Sequence, residues 1–274
     1  MQPHQALATV LTLCSACMLG DDSGPAPVPP GCVDSTTRET ATVNVSGTIR
    51  DFTTLQPVAG ATIDLTTAWD VTSNLPAAAC PLLGSVTSDE AGRFGPVAIA
   101  AGSSQQPPIV LFMVRGGGRA PTLSDNRTCT AATCDLGHDI AAPSAALAAS
   151  WRADLAAGGM ADAAHRGLIA FLYKEADGAP AEGVEPLASV DPIVVRPGLD
   201  VRFVGPDRGA LLPATQATTS SSGVALLGVA NPTTATDHEI DVAGRRGMDT
   251  WSATGTLVAD DFIFVEDRTM QPPP

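Results

Sequence analysis

The stretch Val45-Ser46-Gly47-Thr48-Ile49-Arg50-Asp51, continued through Pro57-Val58-Ala59-Gly60-Ala61 to Ile63-Asp64-Leu65, decides how this chain is read, because its pattern occurs twice. The second copy is Gly167-Leu168-Ile169-Ala170-Phe171-Leu172-Tyr173, followed by Gly178-Ala179-Pro180-Ala181-Glu182-Gly183-Val184. Each copy is trailed by a Thr/Ser-rich turn with a late glycine. In the first this is Thr87-Ser88-Asp89-Glu90-Ala91-Gly92-Arg93-Phe94, and in the second Thr218-Thr219-Ser220-Ser221-Ser222-Gly223-Val224. Repetition on this scale predicts two related all-β modules rather than one enzyme core, and turns the functional question toward binding and architecture.

Working outward, Thr42 to Ile49 alternates apolar with polar residues, as a strand with one buried face does. Asp51 to Gln56 is expected to turn the chain, and Pro57 to Gly60 to begin the next strand, which Ala61 to Leu65 continues. Ser85-Val86-Thr87 and the segments from Gly92 to Ile99 predict a hairpin around Asp89-Glu90-Ala91-Gly92. Ile109 to Val114 is uninterrupted apolar sequence, expected to be a central strand buried on both faces or against a neighbouring element. In the second module, strands are expected at Gly167–Tyr173, Leu199–Val204, Gly223–Val229, His238–Val242 and Asp261–Val265. Between the modules, Ser144 can cap a helix in which Leu147, Trp151 and Leu155 recur every four residues, ended by Gly158-Gly159.

Ser46-Gly47-Thr48-Ile49, Pro57-Val58-Ala59-Gly60-Ala61 and Thr87 to Phe94 resemble the carboxypeptidase regulatory-like family, whose domains are transthyretin-like seven-stranded β-sandwiches. The second module resembles it more loosely, since Ser220 stands where the turn acid Asp89 stands in the first. The resemblance implies an all-β protein of two transthyretin-like β-sandwich domains joined by a short α-helix. It also implies a non-catalytic role, because such domains often accompany hydrolases or surface receptors and assist folding or attachment. The expected organisation is a leader over 1–17, a Pro-rich tether over 18–40, a first sandwich over 41–137, a helical linker over 138–165 and a second, divergent sandwich over 166–270.

The 274 residues carry a formal charge of −14. That disfavours nucleic acid, which needs a basic footprint to exchange for counterions. It equally disfavours anionic lipid head groups. The abundant Gly and Pro (26 and 23 residues) suit many short strands joined by turns.

At the N-terminus, Ala6 to Leu13 is an apolar run too short to span a bilayer as a mature helix. It leads into Leu13-Cys14-Ser15-Ala16-Cys17, which resembles a bacterial lipobox. The resemblance makes Cys17 the lipidated residue, and Met18 behind it favours outer-membrane sorting. Met18 to Gly31 has almost nothing to bury, and a polyproline II stretch there reaches about 40 Å at ~3 Å per residue. With Cys14 removed and Cys17 lipidated, Cys32, Cys80, Cys129 and Cys134 remain, an even number that predicts two disulfides in an oxidising compartment. Three pairings exist. The short Cys129–Cys134 loop favours local pairing, which leaves Cys32 with Cys80; a metal site is the rival reading, without the usual ligand spacing.

No G-x-S-x-G elbow, H-E-x-x-H pair or Walker loop occurs. His138, His165 and His238 are far apart in sequence. Asp237, Glu239 and Asp241 fall on one face of a strand and offer a Ca²⁺ ladder, against the simpler reading of a solvated face. Trp69 and Trp251 are candidates for stacking on sugars, against the simpler reading of core residues. The expectation is therefore a non-catalytic, envelope-anchored lipoprotein acting as a structural or interaction module, without cofactor or bound metal. Its partners would be the membrane, through the lipid, and an envelope protein or glycan. The alternative is a carbohydrate-binding surface lipoprotein.

Overall fold

The computed structural model describes residues 41–67, 82–101, 109–128, 133–160, 163–164, 167–190, 193–194, 201–228, 238–251, 256–258 and 261–270. They form an all-β protein with a single helix among the described residues.

The first sandwich has seven strands: β1 (Ala41–Asp51), β2 (Ala61–Thr67), β3 (Leu82–Thr87), β4 (Arg93–Ala101), β5 (Ile109–Gly116), β6 (Thr122–Thr128) and β7 (Thr133–Ala142). One layer is β4-β1-β7, with β1 antiparallel to β4 and parallel to β7; the other runs β3-β2-β5-β6. Alternation along β1 sends Val43, Val45 and Ile49 inward, where they meet Ile63, Leu65, Phe112 and Val114 of the opposite layer. β7 continues to Ala142, so residues 138–142, expected in the linker, are strand. The expected hairpin around Asp89 is also corrected. β3 pairs with β2 and β4 with β1, so this turn carries the chain from one layer to the other.

The second half comprises β8 (Leu168–Lys174), β9 (Glu185–Val190), β10 (Ile193–Val194), β11 (Val201–Phe203), β12 (Val224–Gly228), β13 (His238–Arg246), β14 (Asp249–Trp251), β15 (Thr256–Val258) and β16 (Ile263–Thr269). Its connectivity retraces the first. β12-β8-β16 matches β4-β1-β7, including the parallel first and last strands, and β10-β9-β13-β14 matches β3-β2-β5-β6. β11 is added at the edge beside β12.

The repeated residues turn out to be one hydrogen-bonded clasp built twice. In the first module Ser88 Oγ donates to Val58 O (2.8 Å) and accepts from Ala61 N (3.0 Å). In the second, Thr219 Oγ1 donates to Ala181 O (2.8 Å) and accepts from Val184 N (2.9 Å). Ile49 N–H donates to Gly92 O, and Tyr173 N–H to Gly223 O. Both glycines are left-handed, at φ +72° and +69°, and a Cβ on either would lie 2.6 Å from the carbonyl of Ile49 or Tyr173. A side chain at these positions is excluded by contact and by conformation.

The two sandwiches share a sheet. β16 pairs in parallel with β8 on one side and with β6 on the other, giving one eight-stranded sheet in the order β11-β12-β8-β16-β6-β5-β2-β3. This seam explains the unbroken apolar run of β5. Val110, Phe112 and Val114 face the first core, while Leu111 and Met113 join Leu123, Ile169 and Phe171 in the second. β8 is likewise covered on both faces, because Leu168, Ala170 and Leu172 lie under the helix α1 (Ala145–Ala157). Ser144 caps that helix by accepting from Leu147 N (3.1 Å). Its buried face is Ala148, Trp151 and Leu155, with Leu147 only partly covered, so the helix is turned slightly from the Leu147 stripe expected. Phe52 and Ala120 of the first module complete the same cluster.

Candidate functional site

The loop Gly205-Pro206-Asp207-Arg208-Gly209 lies between β11 and β12 and is closed by its own polar groups. Arg208 N–H donates to Gly205 O (2.9 Å), and Gly209 N–H to the Asp207 carboxylate (3.0 Å). An Asp two residues before Gly favours such a turn. Arg208 sits in the left-handed region at φ +57°, where a non-glycine residue costs about 1 kcal/mol or more. The loop is pinned from the helix, since the Trp151 indole N–H donates to Gly209 O at 2.7 Å. Trp151 is 0% exposed and meets Phe52 edge-on, with ring centroids 5.4 Å apart. A buried indole N–H needs such an acceptor. The helix thus holds the Arg208 loop against the first sandwich.

Beside it lies the turn after β1, whose Thr53 hydroxyl donates to Arg208 O at 3.5 Å. The Asp51 carboxylate accepts from Thr53 N (3.0 Å), Thr54 N (2.8 Å) and Thr54 Oγ1 (3.0 Å), and pairs with Arg119. Burial pushes the Asp51 carboxyl up, but the bonds from Thr54 and Arg119 outweigh it and hold it below its ordinary value. Leu55, in the same turn, is also left-handed (φ +58°) and half exposed.

Between these elements, β7, β8 and β16 leave a cleft of about 360 Å³. Its lining includes Arg50, Leu55, Asp139, Lys174, Arg208 and Asp267. Lys174 Nζ pairs with Asp267 Oδ2 at 2.7 Å, and Asp139 accepts from the Thr48 hydroxyl. No described side chain or carbonyl accepts a hydrogen bond from the Arg208 guanidinium. Burial lowers its pKa, opposed by the charge of Asp267. Deeper in the wall, Ser124 Oγ contacts His138 Nε2, both nearly buried, with the imidazole 4.8 Å from the Phe112 ring. That contact satisfies a ring nitrogen that would otherwise be buried unpaired.

The residues singled out from sequence fall elsewhere. Cys17, Cys32, Trp69, Cys80 and Cys129 lie outside the described residues, as does the side chain of Cys134. Trp251 is 0% exposed: its indole N–H donates to Lys174 O (2.8 Å), its ring packs edge-on to Tyr173, and Arg246 lies 5.4 Å above it. A ring enclosed on all sides is no sugar platform, so the stacking role expected for Trp251 is corrected to a core role. Asp237 and His165 lie outside the described residues, as do the side chains of His238, Glu239 and Asp241. Among the described residues no three His, Cys, Asp or Glu converge as metal ligands, and no helix is long and apolar enough to cross a membrane. Arg50, Ser124, Asp139 and Arg208 were missed. Only the Pro-Asp-Arg-Gly turn left a trace in sequence, and it says nothing of what the turn faces.

No family model matches the chain, and no curated protein does. Among solved structures, chlorocatechol 1,2-dioxygenase from Pseudomonas putida is 16% identical, over 44% of this chain and 70% of that one, at a TM-score of 0.26. The Bacillus anthracis TIE protein is 7% identical over 84% and 34%, at a TM-score of 0.28. The shaft pilin SpaA from Lactobacillus rhamnosus GG is 14% identical over 86% and 98%, at a TM-score of 0.26. Likenesses this slight assign this chain neither a family nor an activity.

Proposed function

We propose that this chain is a non-catalytic, envelope-anchored lipoprotein that acts as a structural or interaction module. The observation that carries the reading is the seam between β6 and β16. It joins two sandwiches of the same topology into one eight-stranded sheet, a rigid body suited to presenting surfaces at a fixed spacing. The duplicated residues serve this scaffold, since the Ser88 and Thr219 clasps and the left-handed Gly92 and Gly223 are spent on backbone. Lipidation at Cys17 would place the body beyond a Pro-rich leash, in the periplasm or at the surface of the outer membrane. Kinship with carboxypeptidase regulatory-like domains belongs to the same proposal, supported by the two seven-strand paths and by the Gly92 turn. Mass spectrometry of the mature N-terminus tests the anchor: diacylglyceryl-modified Cys17 is expected, and any other first residue would refute it.

A further inference from the structure

We propose that the cleft between the two sandwiches binds a small organic monocarboxylate, held by the guanidinium of Arg208. Three observations converge there. First, Arg208 is a half-buried cation whose guanidinium has no hydrogen-bond acceptor among the described residues, while the other cations at the cleft have partners: Lys174 pairs with Asp267 at 2.7 Å and Arg50 reaches Leu55 O at 3.2 Å. A guanidinium fork matches a carboxylate with two parallel charge-assisted bonds. Second, of the three non-glycine residues with left-handed backbone among the described residues, two, Leu55 and Arg208, line this cleft. Backbone held in that region gathers where surrounding structure imposes a working geometry. At Arg208 the imposing contact is the Trp151 indole on the next carbonyl. Third, the cleft departs from the acidic character of the chain. Arg50, Lys174 and Arg208 face Asp139 and Asp267, leaving the imidazole aside, so one positive charge is in surplus. One negative charge balances it; a phosphate dianion would leave one negative charge in excess. Leu55, Ile140 and Pro180 supply apolar wall for the body of the ligand, and about 360 Å³ holds a molecule of sugar or single-ring size. The inference does not depend on the lipid anchor.

The test is a ligand-observed NMR titration at low salt, with galacturonate, benzoate and inorganic phosphate as probes. The full chain is compared with Arg208→Gly and Arg208→Lys. Saturable binding of at least one carboxylate in the millimolar range or tighter is expected, weakened roughly tenfold or more in Arg208→Gly by loss of the charge-assisted pair. Glycine is at ease in the left-handed region, so that variant should melt no lower than the parent. If it does melt lower, Arg208→Lys decides, because it keeps the charge and loses the fork; a severalfold weaker affinity is expected. No saturable binding of either carboxylate, an unchanged affinity in the deciding variant, or tighter binding of phosphate would each overturn the proposal.

Discussion

Replacing Gly92 and Gly223 by alanine, one at a time, should destabilise the protein by nearly equal amounts although the two sites belong to different modules. Both residues are left-handed, at φ +72° and +69°. A Cβ on Gly92 would meet Ile49 O at 2.6 Å, Val58 N at 3.0 Å and Pro57 Cβ at 3.1 Å. On Gly223 it would meet Tyr173 O at 2.6 Å, Ala181 N at 2.9 Å and Pro180 Cβ at 3.1 Å. The conformational part costs about 1 kcal/mol. Backbone atoms cannot swing aside as a side chain end can, so the contact adds a comparable or larger amount, for a total of about 2–4 kcal/mol each. Gly60→Ala isolates the first part, since Gly60 has φ +70° and nothing within 4 Å of its Cβ; it should cost only about 1 kcal/mol. Urea denaturation, followed by far-ultraviolet circular dichroism and by tryptophan fluorescence, reads all three. With Trp69 replaced by Phe in every variant, Trp151 and Trp251 report from the helix and the second sandwich, yet Gly92→Ala should shift their transition as well, because the seam couples the modules. If Gly92→Ala leaves the fluorescence midpoint in place, or costs no more than Gly60→Ala, the duplicated clasp and its coupling are refuted.

Trp151→Phe keeps a ring against Phe52 but leaves Gly209 O without its donor, so it should cost about 1–3 kcal/mol in denaturant and loosen the Arg208 loop. Limited proteolysis should then cut near 205–209; a parent-like digest would count against the pin. Asp51→Asn should flatten the loss of stability in acid. The folded carboxyl titrates below its unfolded value near 3.8, so its contribution is present above that pH and fades as pH falls through the folded value. Parallel acid-denaturation curves for parent and variant would contradict this. Trp251→Phe should lower the melting temperature, since the indole N–H serves Lys174 O inside the core; an unchanged melting temperature would contradict the core role.

Local signals carried the fold further than the site. The Gly223 turn, the alternation of β1 and the Ser144 cap are short-range devices, and each appears where its residues predict it. The apolar run of β5 announced a buried strand, though not what covers its two faces. That cover follows from the pairing of β16 with β6, which joins residues distant in sequence and leaves no mark in either strand. The Asp89 turn misled for a related reason. Asp and Gly specify a reversal, but the bonds from Ser88 and Gly92 to different layers make it a crossing rather than a hairpin. The cleft was illegible altogether, because Arg50, Asp139, Lys174, Arg208 and Asp267 come from separate elements and meet only after the seam has formed. Trp251 shows the converse. Its polar flanks allow a stacking platform and its scarcity as a large side chain favours the core; the packing of Tyr173 and Arg246 around it decides for the core.

Whether two repeats make one body is tested most directly by differential scanning calorimetry of the full chain. A shared sheet predicts a single endotherm whose calorimetric and van't Hoff enthalpies agree, with Gly92→Ala and Gly223→Ala each moving that same peak. Two resolved transitions, one moved by each substitution, would show the sandwiches to be independent and contradict the account.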